Sequence, residues 1–200
     1  MRYYEHLERD PVMKKIIRRT GKLSLKTSDN SCLFLCRSII SQQLSTKVAA
    51  VIEQRFISLL PAEKFSPQAI LNITIQQLRA AGLSQQKATY IHHVASFYHD
   101  LQLQDADLKK LDDEALIHLL TQIKGVGRWT VAMLLMFGYG RKDVFPLDDY
   151  GIRQAMLGHY KIKEGNKRST DEQLLMIAEK WSPYRTYACL HLWKDRDANK

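Results

Sequence analysis

Two hundred residues, 45% of them hydrophobic, suffice for a buried core in one compact domain or two closely packed lobes. Thirty Lys and Arg against 21 Asp and Glu leave a net charge of +9, which favours a polyanionic partner, nucleic acid ahead of an anionic membrane surface. Three cysteines, none in a CxxC pair, exclude a disulfide framework and a four-cysteine cluster and fit a reducing compartment; the start MRYYEHLERDP has no apolar h-region and no window approaches 18 apolar residues, so neither export nor membrane spanning is expected.

Helical periodicity runs through nearly the whole chain. The basic clusters Lys14 to Arg19 and Asn166 to Arg168 read as solvated faces, and Thr20 to Asn30 reads as an extended connector. From Val48 the apolar residues Ile52, Phe56 and Leu59 mark one buried helical stripe. Thr74 and Gln77 have capping-box spacing; the helix they open breaks at Gly82, and another starts near Ser84. Leu116, Leu119, Leu120 and Ile123 follow i, i+3, i+4, i+7. Thr170 and Gln173 repeat the capping-box spacing before Leu174, Ile177 and Trp181, while Ser182 and Pro183 supply an N-cap and a first-turn proline for a last helix. Sustained strand alternation is missing from the sequence, so the fold class is all-α.

Between the helix ending near Ile123 and a second helix-like run through Trp129, Ala132, Met133 and Met136 lies Lys124-Gly125-Val126-Gly127, a helix–hairpin–helix pattern. Glycines at 125 and 127 permit positive φ and remove Cβ atoms, so backbone N–H groups at the next helix start can approach a phosphate. Val126 would pin the two helices together. An ordinary helix–helix turn needing glycine explains the same pattern.

The stretch IKGVGRWT, followed by DVFPLDDYGIRQAM from Asp143 to Met156, resembles the helix–hairpin–helix superfamily of DNA base-excision glycosylases. RSIISQQLSTKVAA from Arg37, GLSQQKATYI from Gly82 and WSPYRTYACLHLW from Trp181 extend the resemblance to the 3-methyladenine DNA glycosylase II branch, over about residues 31 to 193. The chain looks like a minimal form. The resemblance implies two helical lobes flanking an active-site cleft: the N-terminal segment and C-terminal helices as one lobe, roughly 50–140 as the other, with the hairpin at 124–128. It implies base flipping and hydrolysis of the N-glycosidic bond of alkylated purines such as 3-methyladenine, on double-stranded DNA, by a monomer working in the cytoplasm or nucleoid of a prokaryote or the nucleus of a eukaryote.

By position in the motif the essential carboxylate is Asp149, which would stabilise an oxocarbenium-like sugar and orient water; a helix cap is the competing role, equally natural for Asp148. Bifunctional relatives carry a Schiff-base lysine after the residue matching Arg128, whereas this chain has Trp129, which implies a hydrolase without lyase activity. Trp129, Met133 and Trp193 are the expected base pocket, with Met133 standing where relatives have an aromatic. Gln43 matches the wedge that fills the gap left by the flipped base, with Leu44 its neighbour. Lys124, Gly125, Val126, Gly127, Arg128 and Thr130 are the expected DNA-binding hairpin, with Lys142 a further phosphate neighbour. No cofactor and no metal ligand set are expected, with a monovalent cation on hairpin carbonyls left open. The alternatives are a glycosylase for deaminated or oxidised bases and a non-catalytic DNA-binding module.

Overall fold

The computed structural model describes residues 2–28, 30–61 and 65–198. Along the chain run α1 (Tyr3–Leu7), α2 (Pro11–Thr20), α3 (Ser31–Ser41), α4 (Thr46–Ser58), α5 (Pro67–Leu71), α6 (Ile75–Ala80), α7 (Gln85–Asp100) and α8 (Asp105–Leu108). They are followed by α9 (Asp113–Leu120), α10 (Arg128–Met133) with a π-helical continuation Leu134–Gly138, α11 (Tyr150–His159), α12 (Lys167–Glu179) and α13 (Arg185–Ala198). No strand forms among the described residues, as the all-α reading expects. The chain divides into two compact units, one of residues up to Thr27 together with those from Leu135 onward, the other Ser28–Leu134.

In the Ser28–Leu134 unit, α3 packs on α4 and α7, and α5 and α6 pack on α7. Leu35, Ile39, Phe56, Leu78, Ile91, Val94, Leu116 and Leu120 form its buried apolar core. Side-chain caps start these helices: Asn30 accepts from Leu33 N–H, Ser45 from Val48, Ser84 from Lys87 and Asp112 from Ala115. The Thr74–Gln77 capping box forms in both directions, at 2.8 and 3.1 Å, and Gly82 ends that helix at φ +109°. The α4 stripe is narrower than the periodicity suggests. Ala49, Ile52 and Phe56 are buried, but Val48 and Leu59 are exposed, because only one hundred-degree sector of α4 meets its neighbours. Leu119 likewise sits half-buried beside fully buried Leu116, Ile117 and Leu120.

In the other unit α13 packs on α2 and α11. Asp10 is a hub: one carboxylate oxygen caps α2 through Val12 and Met13 N–H, and the other accepts from Tyr160 Oη at 2.5 Å and buried Trp181 Nε1 at 3.2 Å. Asp195, buried on α13, accepts two bonds from the Arg19 guanidinium, at 2.7 and 2.9 Å, and lies 3.0 Å from His159 Nε2. Arg19 holds the Asp195 carboxyl below its ordinary range against the opposing effect of burial.

Three boundaries differ from the sequence reading. The connector adopts no helix over residues 21–28, but Thr20 closes α2 and Asn30 caps α3; Asp29 lies outside the described residues. Asn166 rather than Thr170 starts α12, accepting from Ser169 N–H at 2.9 Å; Thr170 is buried inside the helix and accepts from Gly165 N–H. The last helix starts at Arg185, not at Pro183: the Ser182 hydroxyl donates to Asp143, and the same carboxylate receives the first helical N–H, from Arg185 at 3.1 Å. An aspartate 42 positions upstream thus caps α13.

Candidate functional site

The Gly125 φ is +101°, and a Cβ there would overlap the Tyr90 ring and lie 2.9 Å from the Tyr90 Cβ, so both conformation and space demand glycine. Val126 is buried and its N–H bonds Ile123 O at 3.0 Å, closing the turn between α9 and α10. Gly127 departs from the expectation. It is the N-cap of α10 at φ −99°, an extended conformation open to any residue, and among the described residues nothing approaches its Cβ position within 4 Å. What glycine supplies there is a bare surface over the helix start. Lys124 and Arg128 are exposed, Arg128 with both terminal nitrogens on the Glu114 carboxylate. Glu114 is held below its usual range by that guanidinium. Thr130, third in α10, is 4% exposed, so its side chain is buried where the DNA-binding assignment expects a surface position.

Next to the hairpin in the same unit is the turn that follows α3. Gln42, at φ −51° and ψ 129°, and Gln43, at φ +57°, match the two central residues of a type II β-turn, closed by Leu44 N–H on Ser41 O at 3.2 Å. The Gln42 amide nitrogen donates to Gly125 O at 3.3 Å, tying turn to hairpin. Gln43 and Leu44 are both exposed. Trp129, second in α10, leaves 44% of its surface open, while Met133 one turn on is buried.

The other unit contains Asp149 and Trp193. Asp149 is 8% exposed and caps α11: its Oδ1 accepts from Ile152 N–H at 2.8 Å and from Trp193 Nε1 at 3.0 Å. The sequence reading left the cap open between Asp149 and Asp148, with Asp148 expected to cap or orient; Asp148 is exposed beside Arg153 and Lys167. The cap belongs to Asp149 because the turn closed by Asp149 N–H on Pro146 O puts its carboxylate, not its neighbour's, over the helix end. Gly151 makes room for this: a Cβ would meet Arg196 Nη1 at 2.4 Å, Asp149 Oδ1 at 3.1 Å and Trp193 Cδ1 at 3.4 Å. Trp193 is half-buried, its ring 6.0 Å from that of Phe137.

The loop leading to Asp149 is fastened to the start of α13. Arg185 grips Asp143 through Nε at 2.8 Å and Nη2 at 2.9 Å. Thr186 N–H donates to Lys142 O at 3.0 Å, and its hydroxyl donates to Arg141 O at 2.7 Å and accepts from Val144 N–H at 3.0 Å. Burial pushes the Asp143 carboxyl up, but the bonds from Arg185 and Ser182 outweigh it and hold it below the usual range. One helix therefore anchors the loop at its beginning and, through Trp193, the carboxylate at its end. Sequence reasoning missed this latch and also Tyr150, which follows Asp149 and exposes 69% of its surface with the Arg196 guanidinium 5.8 Å from its ring centre. The acid run DD followed by an aromatic was its only signal.

Among the described residues no helix is long and apolar enough to cross a membrane, and no cluster of His, Cys, Asp and Glu has metal-binding geometry. Residues 36–183 match the family described as HhH-GPD superfamily base excision DNA repair protein. DNA-3-methyladenine glycosylase 1 of Schizosaccharomyces pombe is 38% identical over 80% of this chain and 70% of its own length. YfjP of Bacillus subtilis is 32% identical over 86% of this chain, which spans only 60% of that protein's length. A DNA-3-methyladenine glycosidase of Bacillus halodurans superposes with a TM-score of 0.84 at 32% identity, covering 98% of this chain and 89% of its own. The S. pombe glycosylase Mag1 in complex with abasic DNA gives 0.83 at 32% identity, covering 97% and 96%. With three quarters of its length inside the family's pattern, and with hairpin, aspartate and fold in place, the chain belongs to the HhH-GPD superfamily of base excision DNA repair proteins.

Proposed function

We propose that this protein is a monofunctional DNA glycosylase that hydrolyses the N-glycosidic bond of flipped-out alkylated purines, 3-methyladenine among them, in double-stranded DNA. The observation that carries this reading is the Asp149 carboxylate, nearly buried, oriented by two N–H donors on one oxygen and mounted on a loop latched to α13. As the base departs, the sugar gains oxocarbenium character, and a fixed carboxylate stabilises that charge and orients the attacking water. Relatives named as 3-methyladenine glycosylases support the choice of substrate class.

Other residues take separable roles. Trp129, in the position where bifunctional relatives carry the Schiff-base lysine, offers an indole face to a base with formal positive charge, an attraction of about 0.5 to 2 kcal/mol. The open N-terminus of α10 at Gly127 and the side chains of Lys124 and Arg128 meet backbone phosphate, with Arg128 exchanging an exposed carboxylate for it. Gln43, held exposed at positive φ, enters the gap left by the flipped nucleotide. Carbonyl oxygens suit a monovalent cation, but Gly125 O already accepts from Gln42 and Ile123 O from Val126, so a cation at the hairpin would share those oxygens or use others. A non-catalytic binding module would need neither a buried oriented carboxylate nor its indole partner.

The test is incubation with duplexes carrying single defined lesions, alkylated, deaminated and oxidised, followed by alkaline cleavage of abasic sites. Excision is expected foremost from alkylated purines, with strand breaks only after alkali. A covalent protein–DNA adduct trapped by borohydride would overturn the monofunctional assignment, and faster excision of oxidised or deaminated bases the substrate class. Migration as a monomer in solution, alone and on DNA, is expected.

A further inference from the structure

The block GLSQQKATYI contains a lysine whose ammonium is turned onto two backbone carbonyls. Lys87, in the first turn of α7 and half-buried, donates from Nζ to Ile40 O at 2.9 Å and to Gln42 O at 2.6 Å. The first acceptor is one of the last-turn carbonyls of α3, where a positive charge is favoured. The second belongs to the peptide joining Gln42 to Gln43.

That peptide decides the turn type. A type II turn with a non-glycine residue at its third position is strained, because the residue must sit at positive φ. Flipping the peptide between the two central residues converts type II into type I, returns the third residue to negative φ and turns the carbonyl to the opposite face of the turn. For Gln43 the flip would relieve the strain at φ +57° but pull Gln42 O away from the Lys87 ammonium. A hydrogen bond from a charged donor outweighs that strain. Desolvation lowers the Lys87 pKa, as expected for an ammonium turned toward carbonyls rather than solvent.

We infer that Lys87 is a positioning residue: it holds the Gln42–Gln43 peptide in the orientation that presents the Gln43 side chain as the wedge. The inference rests on the wedge role proposed for Gln43. The Gln42 bond to Gly125 O carries the same turn to the hairpin, so Lys87 sets the wedge relative to the phosphate-binding element of its own unit.

The test is single-turnover excision of the best-excised lesion of the panel, placed opposite its normal partner or opposite a mismatched base, by the parent protein, Lys87→Met, Lys87→Arg, Gln43→Ala and the Lys87→Met/Gln43→Ala double variant. Lys87→Met should slow excision of the paired lesion about tenfold and of the mispaired lesion by less than about threefold, since a mispaired base is easier to extrude. Lys87→Arg should restore most of the rate on the paired lesion. The double variant should be no slower than the worse single variant, because both changes remove one device. Affinity for undamaged duplex should stay within about twofold. An unchanged paired-to-mispaired ratio in Lys87→Met while Gln43→Ala shifts it would overturn the inference, as would equal slowing on both substrates with a lowered melting temperature, the mark of a merely structural lysine. If Gln43→Ala itself leaves the ratio unchanged, the wedge reading fails first. Should Lys87→Met not fold, Lys87→Gln replaces it with the same expectations.

Discussion

Replacing Asp149 by asparagine separates chemistry from architecture, because one oxygen of this side chain does structural work that an amide can continue. In Asp149→Asn the amide Oδ1 still accepts from Ile152 N–H and Trp193 Nε1, and asparagine caps helices about as well as aspartate. The loss is the charge, which favours the α11 N-terminus and strengthens both bonds; together these amount to about 1 kcal/mol, or roughly 2–4 °C in melting temperature for a chain of this size. Asp149→Ala removes the acceptor as well, costing about 1 kcal/mol for the cap and about 1 more for the indole N–H. For the reaction, a charge about 4 Å from the developing cation at an effective dielectric constant near 20 is worth about 4 kcal/mol, close to a thousandfold in rate. Both variants should thus lose excision about a thousandfold in single-turnover assays, while only the alanine variant loses about 2 kcal/mol in denaturant titration. Affinity for abasic duplex should be kept or improved, and Asp148→Asn should stay within about threefold of the parent rate. Near-normal turnover in Asp149→Asn would refute the catalytic assignment, and equal stability of the two variants would refute the shared-oxygen geometry.

Gly125→Ala should destabilise by at least about 2 kcal/mol, because a methyl group meets the Tyr90 ring at a positive φ, whereas Gly127→Ala should cost no more than about 1 kcal/mol yet weaken binding to damaged and undamaged duplex alike, as read by denaturation and fluorescence anisotropy. Gln43→Gly relieves the strained φ and should leave stability unchanged or raise it by up to about 1 kcal/mol, while slowing excision of paired lesions; a loss of stability would argue against strain at that residue. Burial, with a smaller effect of Lys194, pushes the His191 imidazole down to about 4. The Thr20 hydroxyl donates to Ile16 O, so His191 Nδ1–H donates to Thr20, 2.6 Å away, and protonating Nε2 would bury an N–H with no partner among the described residues. Since the folded pKa lies below the unfolded value near 6.5, this residue's contribution is complete above pH 6.5 and is lost as pH falls toward 4, by about 3 kcal/mol at most. His191→Asn should flatten the pH dependence of stability across that window in urea titrations at pH 7, 5.5 and 4.5.

The features legible in the sequence are those whose cause lies within a few residues. The Thr74–Gln77 box, the start of α7 after Ser84 and the hairpin turn at Gly125 all act through partners three or four positions away or through one backbone angle, and each forms as the spacing requires. Thr170 and Ser182 carried equally good local signals and lost to stronger competitors: Asn166 starts α12 a turn earlier, and Asp143 draws Ser182 away and caps α13 itself. Asp149 was identified by its place in a motif, but its bond to Trp193 joins positions 44 apart, which no local pattern encodes. Val48 shows a further limit, since periodicity gives the spacing of a helix face but not the direction of the core. Lys87 was one basic residue among thirty until two carbonyls were found in front of it.

The grip of α13 on both ends of the Asp149 loop makes that helix a ruler. From Thr186 to Trp193 the helix advances about 10 Å, whereas the chain from Val144 to Asp149 would reach about 17 Å if fully extended. The loop is therefore held slack between two fixed marks, and its length is not what sets the carboxylate's place. Adding a residue near Pro146 should leave the marks where they are. Adding one within α13 between Thr186 and Trp193 would turn the indole through about 100° and carry its N–H away from Asp149. In this chain, length changes before the aspartate should then be tolerated, and length changes in the terminal helix should not.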